Sequence, residues 1–254
     1  MIKNFFHKVK LAFTDPVIRF RIFFIVAAFA AFRFLAAIPI SGVDKVRLEQ
    51  FFTNNQFFGL LNIFSGGGFS NLSIVMLGVG PYITASIIMQ LATVIFPQVK
   101  AMYSEEGEAG RTKFIAISRT LTIPIAILQA VAFLSLLESQ GIISSLSSFA
   151  FAVNVFLVAA GSLFLMWIGE LITEFGIGNG VSLIIFAGIV AGVPAGLSQI
   201  LFTASAANIP AYIGFFILSL VAIYSVVTVS EAERSIPIAY ARQVRGTAGS
   251  QGAA

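Results

Sequence analysis

The sequence predicts an all-α polytopic membrane protein with six transmembrane helices and a short re-entrant half-helix. Of its 254 residues, 58% are hydrophobic and only 10% are charged, whereas soluble domains average about 25% charged residues. The mean hydropathy is +0.96, and several apolar stretches reach the roughly 20 residues that a spanning helix needs. These observations exclude an ordinary soluble domain.

Six apolar stretches are long enough to be transmembrane helices. They cover residues 20–40, 72–96, 114–137, 149–168, 181–202 and 210–229. If the spans alternate in direction, twelve Lys and Arg residues, including Arg119, fall on the side of the N-terminus, and Lys45 and Arg47 fall on the other. Because basic loops stay in the cytoplasm, this asymmetry predicts a cytoplasmic N-terminus.

The chain opens with residues 1–19, which mix basic and apolar side chains and predict an amphipathic segment on the cytoplasmic surface. The first span follows, and it is too long and too charged for a signal peptide, since it contains Arg33. Two interpretations of Arg33 stay open. Its side chain either reaches the membrane interface or pairs with a partner inside the protein.

The stretch from residue 65 to 91 is unusual for a membrane protein. It starts with Gly66, Gly67 and Gly68 and is broken again at Gly78, Gly80 and Pro81. Such breakers are tolerated where protein or a water-lined cavity surrounds the helix. The same stretch carries Thr84, Ser86 and Gln90, so the helix either lines a cavity or packs closely inside a bundle. Before the glycines, residues 57–64 are apolar but too few to span, which predicts a re-entrant or interfacial half-helix.

Two connections between spans are distinctive. Residues 105–113 read EEGEAGRTK and predict a solvated turn with alternating charges. Residues 169–180 read GELITEFGIGNG and predict a tight turn of Gly and Asn that re-enters the membrane. Glu170 and Glu174 lie four residues apart there. A carboxylate pair is able to bind metal or act as acid and base, but at a helix end without a substrate groove we expect no catalysis.

Two aliphatic pairs share a helical spacing. Val79 and Ile83 lie on one face of the helix that contains Pro81, and Val181 and Ile185 have the same spacing after the GIGNG turn. Two such pairs facing each other would form an apolar constriction, which some pores use as a gate. From spacing alone, aliphatic pairs of this kind are more often part of an ordinary packed core.

The composition also limits the chemistry. There is no Cys, and the single His is His7 in the N-terminal segment, so zinc sites and His-dependent catalysis within the spans are excluded. Asp15 and Asp44 lie outside the spans, which argues against an aspartyl intramembrane protease. A secondary transporter for a small solute remains an alternative, because broken helices also occur in that class. Such transporters usually hold a buried acidic or basic residue, and only Arg33 is near a span's interior.

Several separated motifs together identify a family. They are FRFLAAIPISGVD, NIFSGGGFSNLSI, GPYITASIIMQL, EGEAGRTKF, MWIGELITEFGIGNGVSLIIFAGI and ERSIPIAYARQVRG, in this order. From about residue 15 to 245 the sequence resembles the SecY family, the pore-forming subunits of the Sec protein-conducting channel. The resemblance implies ten membrane helices in two inverted halves around a pore, of which this chain covers helices one to six. The chain is therefore expected to be part of a longer one, with residues 20–202 as the N-terminal half of the channel (helices one to five) and residues 203–254 as helix six and the start of a cytoplasmic loop.

The resemblance also implies roles for individual residues. Val79, Ile83, Val181 and Ile185 fall at pore-ring positions, and Thr84, Ser86 and Gln90 fall along the lateral gate. A plug at residues 57–68 would contain Phe57, Leu60, Leu61, Asn62, Phe64, Gly66, Gly67 and Gly68. Arg242 and Arg245 would dock a ribosome or the SecA motor ATPase.

The expected function is to guide unfolded polypeptides across a membrane and to release apolar segments sideways into lipid. The expected location is the inner membrane of a bacterium, with SecE-like and SecG-like small subunits as partners. No enzymatic activity, cofactor or metal is implied. The small-solute transporter remains the alternative.

Overall fold

A computed structural model describes residues 14–43, 47–48, 72–143, 146–203 and 209–232. Within these ranges the chain forms helices and no β-strand, which confirms the predicted all-α class. The helices are α1 (Pro16–Ala36), α2 (Gly80–Ile95), α3 (Pro97–Ser104), α4 (Gly107–Ser139), α5 (Ser148–Phe175), α6 (Gly180–Thr203) and α7 (Ile209–Ser230). Two isolated antiparallel bridges, Pro39 with Ser73 and Val43 with Ile143, are the extended pairings in these ranges.

The chain divides into two compact units, Met1–Ser198 and Gln199–Ala254. The first unit contains α1 to α5 and α6 as far as Ser198. The second contains α7, a helix of 22 residues without a charged side chain. The N-terminal segment, the predicted plug and the residues after 232 lie outside the described ranges.

Helix α1 begins and ends four residues earlier than the predicted span. At its start, the Asp15 carboxylate accepts a hydrogen bond from the Val17 amide at 2.8 Å, and Pro16 occupies the first turn, where its missing N–H costs nothing. After Ala36 the backbone turns to pair with residues 72–74. The Ile40 amide donates to the Leu72 carbonyl at 2.9 Å, and the Ile74 amide donates to the Ile38 carbonyl at 3.0 Å.

The sequence predicts a continuous helix over residues 72–96, and this prediction is wrong for the first third of the stretch. Residues 72–79 form a series of turns, in which Leu72 has a φ of 41° and Gly78 a φ of 57°. Helix α2 starts only at Gly80. It ends at Ile95 because Phe96 precedes a proline and adopts extended backbone. The chain then bends by 109° into the short helix α3.

The predicted solvated turn at residues 105–113 is also wrong, because most of it is helical. Helix α4 begins at Gly107, whose φ of +64° completes the reversal from α3. A Cβ at Gly110 would collide with the carbonyl oxygen of Met102, so this glycine permits α3 and α4 to approach closely. The Tyr103 and Phe114 rings, 5.0 Å apart, cover the junction.

Helix α5 extends beyond the predicted span to Phe175, with the Ser147 hydroxyl as its N-terminal cap. The turn between α5 and α6 is therefore shorter than predicted and covers residues 176–179. Helices α6 and α7 match the predicted spans 181–202 and 210–229 within one residue at each end.

The irregular segment 72–79 lies at the centre of the core. Leu72 and Met76 belong to one buried cluster, and Val75 and Val79 belong to a second. The first cluster is completed by Ile40 and Leu48, which follow α1, and by side chains of α4, α5 and the loop between them. The second is completed by Phe32, Ala36, Leu165, Ile168, Ile172 and Ile184. The Ser162 hydroxyl on α5 donates a buried hydrogen bond of 2.8 Å to the Gly78 carbonyl. This segment therefore joins α1, α2 and α5.

Four of the described helices, α4 to α7, are long and apolar enough to cross a membrane, and the bent pair of α2 and α3 would count as a fifth span. Helix α1 has 21 residues but carries Arg19, Arg21 and Arg33. The predicted count of six spans therefore remains a prediction. Arg33 is exposed in the last turn of α1, where the helix dipole favours a cation.

We expect Gly161→Ala to destabilise the protein, because a Cβ there would collide with the carbonyl oxygen of Ile74. Overpacking of this kind costs about 1–3 kcal/mol. The measurement is thermal unfolding of the protein purified in detergent. The matched control is Gly192→Ala on α6, where a Cβ meets nothing within 4 Å and alanine raises helix propensity. Equal melting temperatures for the two variants would contradict the close packing of α5 on segment 72–79.

Candidate functional site

A groove of about 610 Å³ lies among α2, α4, α5 and the first turns of α6. The side chains from α2 follow one face of that helix, with spacings of three and four residues. The groove is lined by Tyr82, Ile83, Ser86, Ile87, Gln90, Ile115, Arg119, Glu170, Thr173, Glu174, Asn179, Val181, Ser182 and Ile185. One part of its wall is aliphatic and another part is polar and charged.

Three of the four predicted pore-ring residues line this groove. Ile83, Val181 and Ile185 contribute to its aliphatic wall, and all three pack against the second buried cluster. Val79 belongs to the same cluster but is only 3% exposed and does not line the groove. The structure therefore brings the two predicted pairs together, with Val79 beneath the surface that the others form.

The predicted gate residues also divide into those that line the groove and one that does not. Ser86 and Gln90 line the groove. Thr84 points toward α4 instead, where its hydroxyl is 3.5 Å from the Gln129 side-chain amide. The same hydroxyl donates to the Gly80 carbonyl at 3.0 Å.

The turn before α6 is stabilised by hydrogen bonds from side chains at both of its ends. The Thr173 hydroxyl donates to the Gly169 carbonyl and accepts from the Gly180 amide, both at 2.9 Å. Asn179 caps α6, since its side-chain oxygen accepts from the Ser182 amide at 3.0 Å. A Cβ at Gly180 would collide with the Gly169 carbonyl oxygen. These contacts fix the start of α6, and with it Val181 and Ile185.

Sequence reasoning missed the charged pair at the polar part of the groove. The Arg119 Nε on α4 donates to the Glu170 carboxylate on α5. The Glu170 side chain is 18% exposed and that of Arg119 is 49% exposed. A signal was present, because Arg119 lies five residues inside the predicted span 114–137. In the sequence, however, Arg119 contributes only to the predicted orientation, and Glu170 falls in a predicted connecting turn.

The remaining predicted site residues form two groups. The plug residues between Phe57 and Gly68, and the docking residues Arg242 and Arg245, lie outside the described ranges. Within those ranges, no group of three or more His, Cys, Asp and Glu residues is arranged to hold a metal ion.

The sequence model of the SecY family matches residues 73–253, which is well over half of the chain. The chain belongs to the SecY family. The protein translocase subunit SecY of Helicobacter pylori is 42% identical over 222 residues, covering 84% of this chain and 52% of that protein. The SecY subunit of Pseudomonas aeruginosa is 41% identical over 230 residues, covering 89% of this chain and 52% of that protein. The chain thus spans about half the length of these curated SecY relatives.

Solved structures share the SecY fold at lower identity. Sec61 in the canine ribosome–channel complex from the endoplasmic reticulum superimposes with a TM-score of 0.57 at 20% identity, covering 88% of this chain and 50% of Sec61. A structure of a protein-conducting channel gives the same TM-score and identity, covering 79% of this chain and 46% of that one. These likenesses show that the SecY assignment extends to the three-dimensional fold.

We expect Asn179→Ala to destabilise the start of α6 by about 1 kcal/mol, because the variant loses the cap on the Ser182 amide. The measurement is hydrogen exchange of the backbone amides in the first turn of α6, which should become faster. Asn179→Asp is the matched control, since its carboxylate retains the acceptor and should keep exchange slow. Equally fast exchange in both variants would show that the cap is not what holds this turn.

Proposed function

We propose that this chain is part of a protein-conducting channel that moves unfolded polypeptides across a membrane and releases apolar segments sideways into lipid. The observation that carries the proposal is the groove beside Ile83, Val181 and Ile185 in a chain of the SecY family. Because the chain spans about half of its relatives' length, the channel needs the remaining half as well.

The chemistry of the groove suits a passing polypeptide. Aliphatic side chains offer no charge and no hydrogen bond, so they do not retain any particular segment, and they limit water and ion flow when they meet. Apolar segments that reach lipid from the groove gain the same transfer free energy that stabilises an ordinary spanning helix. Ser86 and Gln90, further along α2, extend the lining toward the charged pair and are proposed to belong to the lateral gate together with Thr84.

The proposed setting follows that of the relatives. Curated relatives of this chain are bacterial protein translocase subunits, which supports a bacterial inner membrane as the location, with a cytoplasmic N-terminus from the charge asymmetry. One structural neighbour is described in a ribosome–channel complex, which supports a ribosome as a partner. SecE-like and SecG-like subunits and the SecA motor are further proposed partners. The docking roles of Arg242 and Arg245 and the plug at residues 57–68 belong to the same proposal.

The proposal includes no enzymatic step. The chain's role is conduction, and the work of moving the polypeptide is assigned to the ribosome or motor. The alternative of a secondary transporter for a small solute finds no support in the relatives or in the structural neighbours.

We expect Ile83→Gly and Ile185→Gly, made together in the full-length protein, to increase ion leak and to allow export of substrates with defective signal sequences. Both changes remove aliphatic volume from the groove wall. The measurements are ion conductance in planar bilayers and export of a reporter with a weakened signal sequence.

The matched control is Val94→Gly with Ile189→Gly, on the same two helices at exposed positions outside the groove. The control removes comparable helix propensity and side-chain volume. If both double variants behaved like the unmodified protein, the pore-ring assignment would be wrong.

A further inference from the structure

Apart from the apolar packing of α4 on α5 around Leu134 and Val155, two attachments join α5 to the elements that carry the groove's opposite wall. The first is the buried hydrogen bond from Ser162 to the Gly78 carbonyl, two residues before α2 begins. Next to it, Gly161 lies so close to Ile74 that a Cβ would collide with its carbonyl oxygen. The second attachment is the ion pair between Arg119 on α4 and Glu170 on α5.

The two attachments are separated along α5. Ser162 and Glu170 are eight residues apart, which corresponds to about 12 Å along a helix. The first attachment is fully buried, whereas both members of the second line the groove. Helix α2 leaves the first attachment at Gly80 and carries the groove-lining residues from Tyr82 to Gln90. The first attachment therefore acts as a fixed point, and the ion pair closes the far end.

Each wall of the groove is attached to one of the two helices, α4 and α5, that the ion pair connects. Helix α2 packs along α4, and the α3–α4 junction at Gly110 and Phe114 keeps these elements together. On the other side, the start of α6 is fixed to α5 through Thr173, Gly169 and Gly180. Since α2 is packed on α4 and the start of α6 is fixed to α5, a separation of α4 from α5 at Glu170 would widen the groove.

We propose that the Arg119–Glu170 ion pair is a latch that limits the widening of the groove and thereby sets how apolar a polypeptide segment must be to enter. This inference rests on the proposed function. A segment that enters gains free energy in proportion to the apolar area it buries. That gain must offset the cost of opening the pair. A weaker latch lowers the cost, so less apolar segments are admitted.

An ion pair with this burial suits a reversible latch. Glu170 has lost most of its contact with water, so removing only Arg119 leaves a carboxylate without its cation, which is unfavourable. Arg119 remains half exposed, so its guanidinium can be hydrated again when the pair opens. The pair is also sensitive to small displacements, since charge-assisted hydrogen bonds depend strongly on geometry.

The chain supplies a matched control pair. Lys113 and Glu106, near the start of α4, are 3.4 Å apart, but their side chains are 66% and 46% exposed. Neither residue lines the groove. Exposed pairs of this kind contribute little, so reversing a charge there should not alter which segments enter.

The test uses the full-length protein with its partner subunits in native membranes and two secretory substrates. One has a normal signal sequence, and the other has a signal sequence shortened by two leucines. The readout is the ratio of weakened to normal substrate exported. We expect Arg119→Glu and Glu170→Arg, each alone, to raise this ratio about fivefold. We expect the two changes combined to return it toward the original value, because the pair is restored with exchanged charges. Lys113→Glu should leave the ratio unchanged.

Several results would overturn the latch. They are an unchanged ratio in both single variants, a raised ratio that the charge exchange does not lower, or an equal rise for Lys113→Glu. If a single reversal prevents the protein from accumulating, Glu170→Gln replaces it, since the amide keeps the shape and loses the charge; an unchanged ratio for Glu170→Gln would also overturn the proposal. Failure of the proposed function looks different, because the unmodified protein would then export neither substrate.

Discussion

The structure depends on how the backbone N–H and C=O groups of the irregular segment 72–79 find hydrogen-bond partners between α1 and α5. A membrane protein cannot leave N–H and C=O groups unpaired in an apolar interior, and residues 72–79 lack the regular bonds of a helix. Ile40 and Ile38, which follow α1, pair with Leu72 and Ile74, and Ser162 donates to the Gly78 carbonyl. These bonds determine where α2 begins, and therefore where Ile83 faces the groove.

The groove is built from two helix starts of this kind. Helix α2 begins after Gly78, and α6 begins after a turn in which Thr173 and Asn179 hold the backbone. In both places a glycine allows an approach that a side chain would prevent, at Gly161 beside Ile74 and at Gly180 beside Gly169. When the start of a helix is fixed, the positions of the residues in its first two turns are fixed as well. This explains why Val181 and Ile185 lie close to the surface that Ile83 forms.

The sequence predicts the parts of this fold that depend on local pattern. Long apolar stretches gave α6 and α7 within one residue at each end, although Pro194 lies inside α6. The turns at 72–79 could not be predicted, since they are as apolar as a helix and are stabilised by distant partners such as Ser162. The predicted span also left out the first turns of α4, because hydropathy identifies apolar stretches and these first turns are helical but polar. The Arg119–Glu170 pair joins residues 51 positions apart, which no local pattern reveals. The plug and the roles of Arg242 and Arg245 remain predictions.

The most direct test of the central claim is site-specific photocrosslinking in the full-length protein in its native membrane. A photoreactive residue is placed at Ile83, at Ile185 or at Phe215, which is 73% exposed on α7, and a secretory polypeptide is stalled midway through export. We expect crosslinks to the polypeptide from Ile83 and Ile185 and none from Phe215. If the polypeptide is engaged in the membrane but neither Ile83 nor Ile185 crosslinks to it, the groove is not the conducting path.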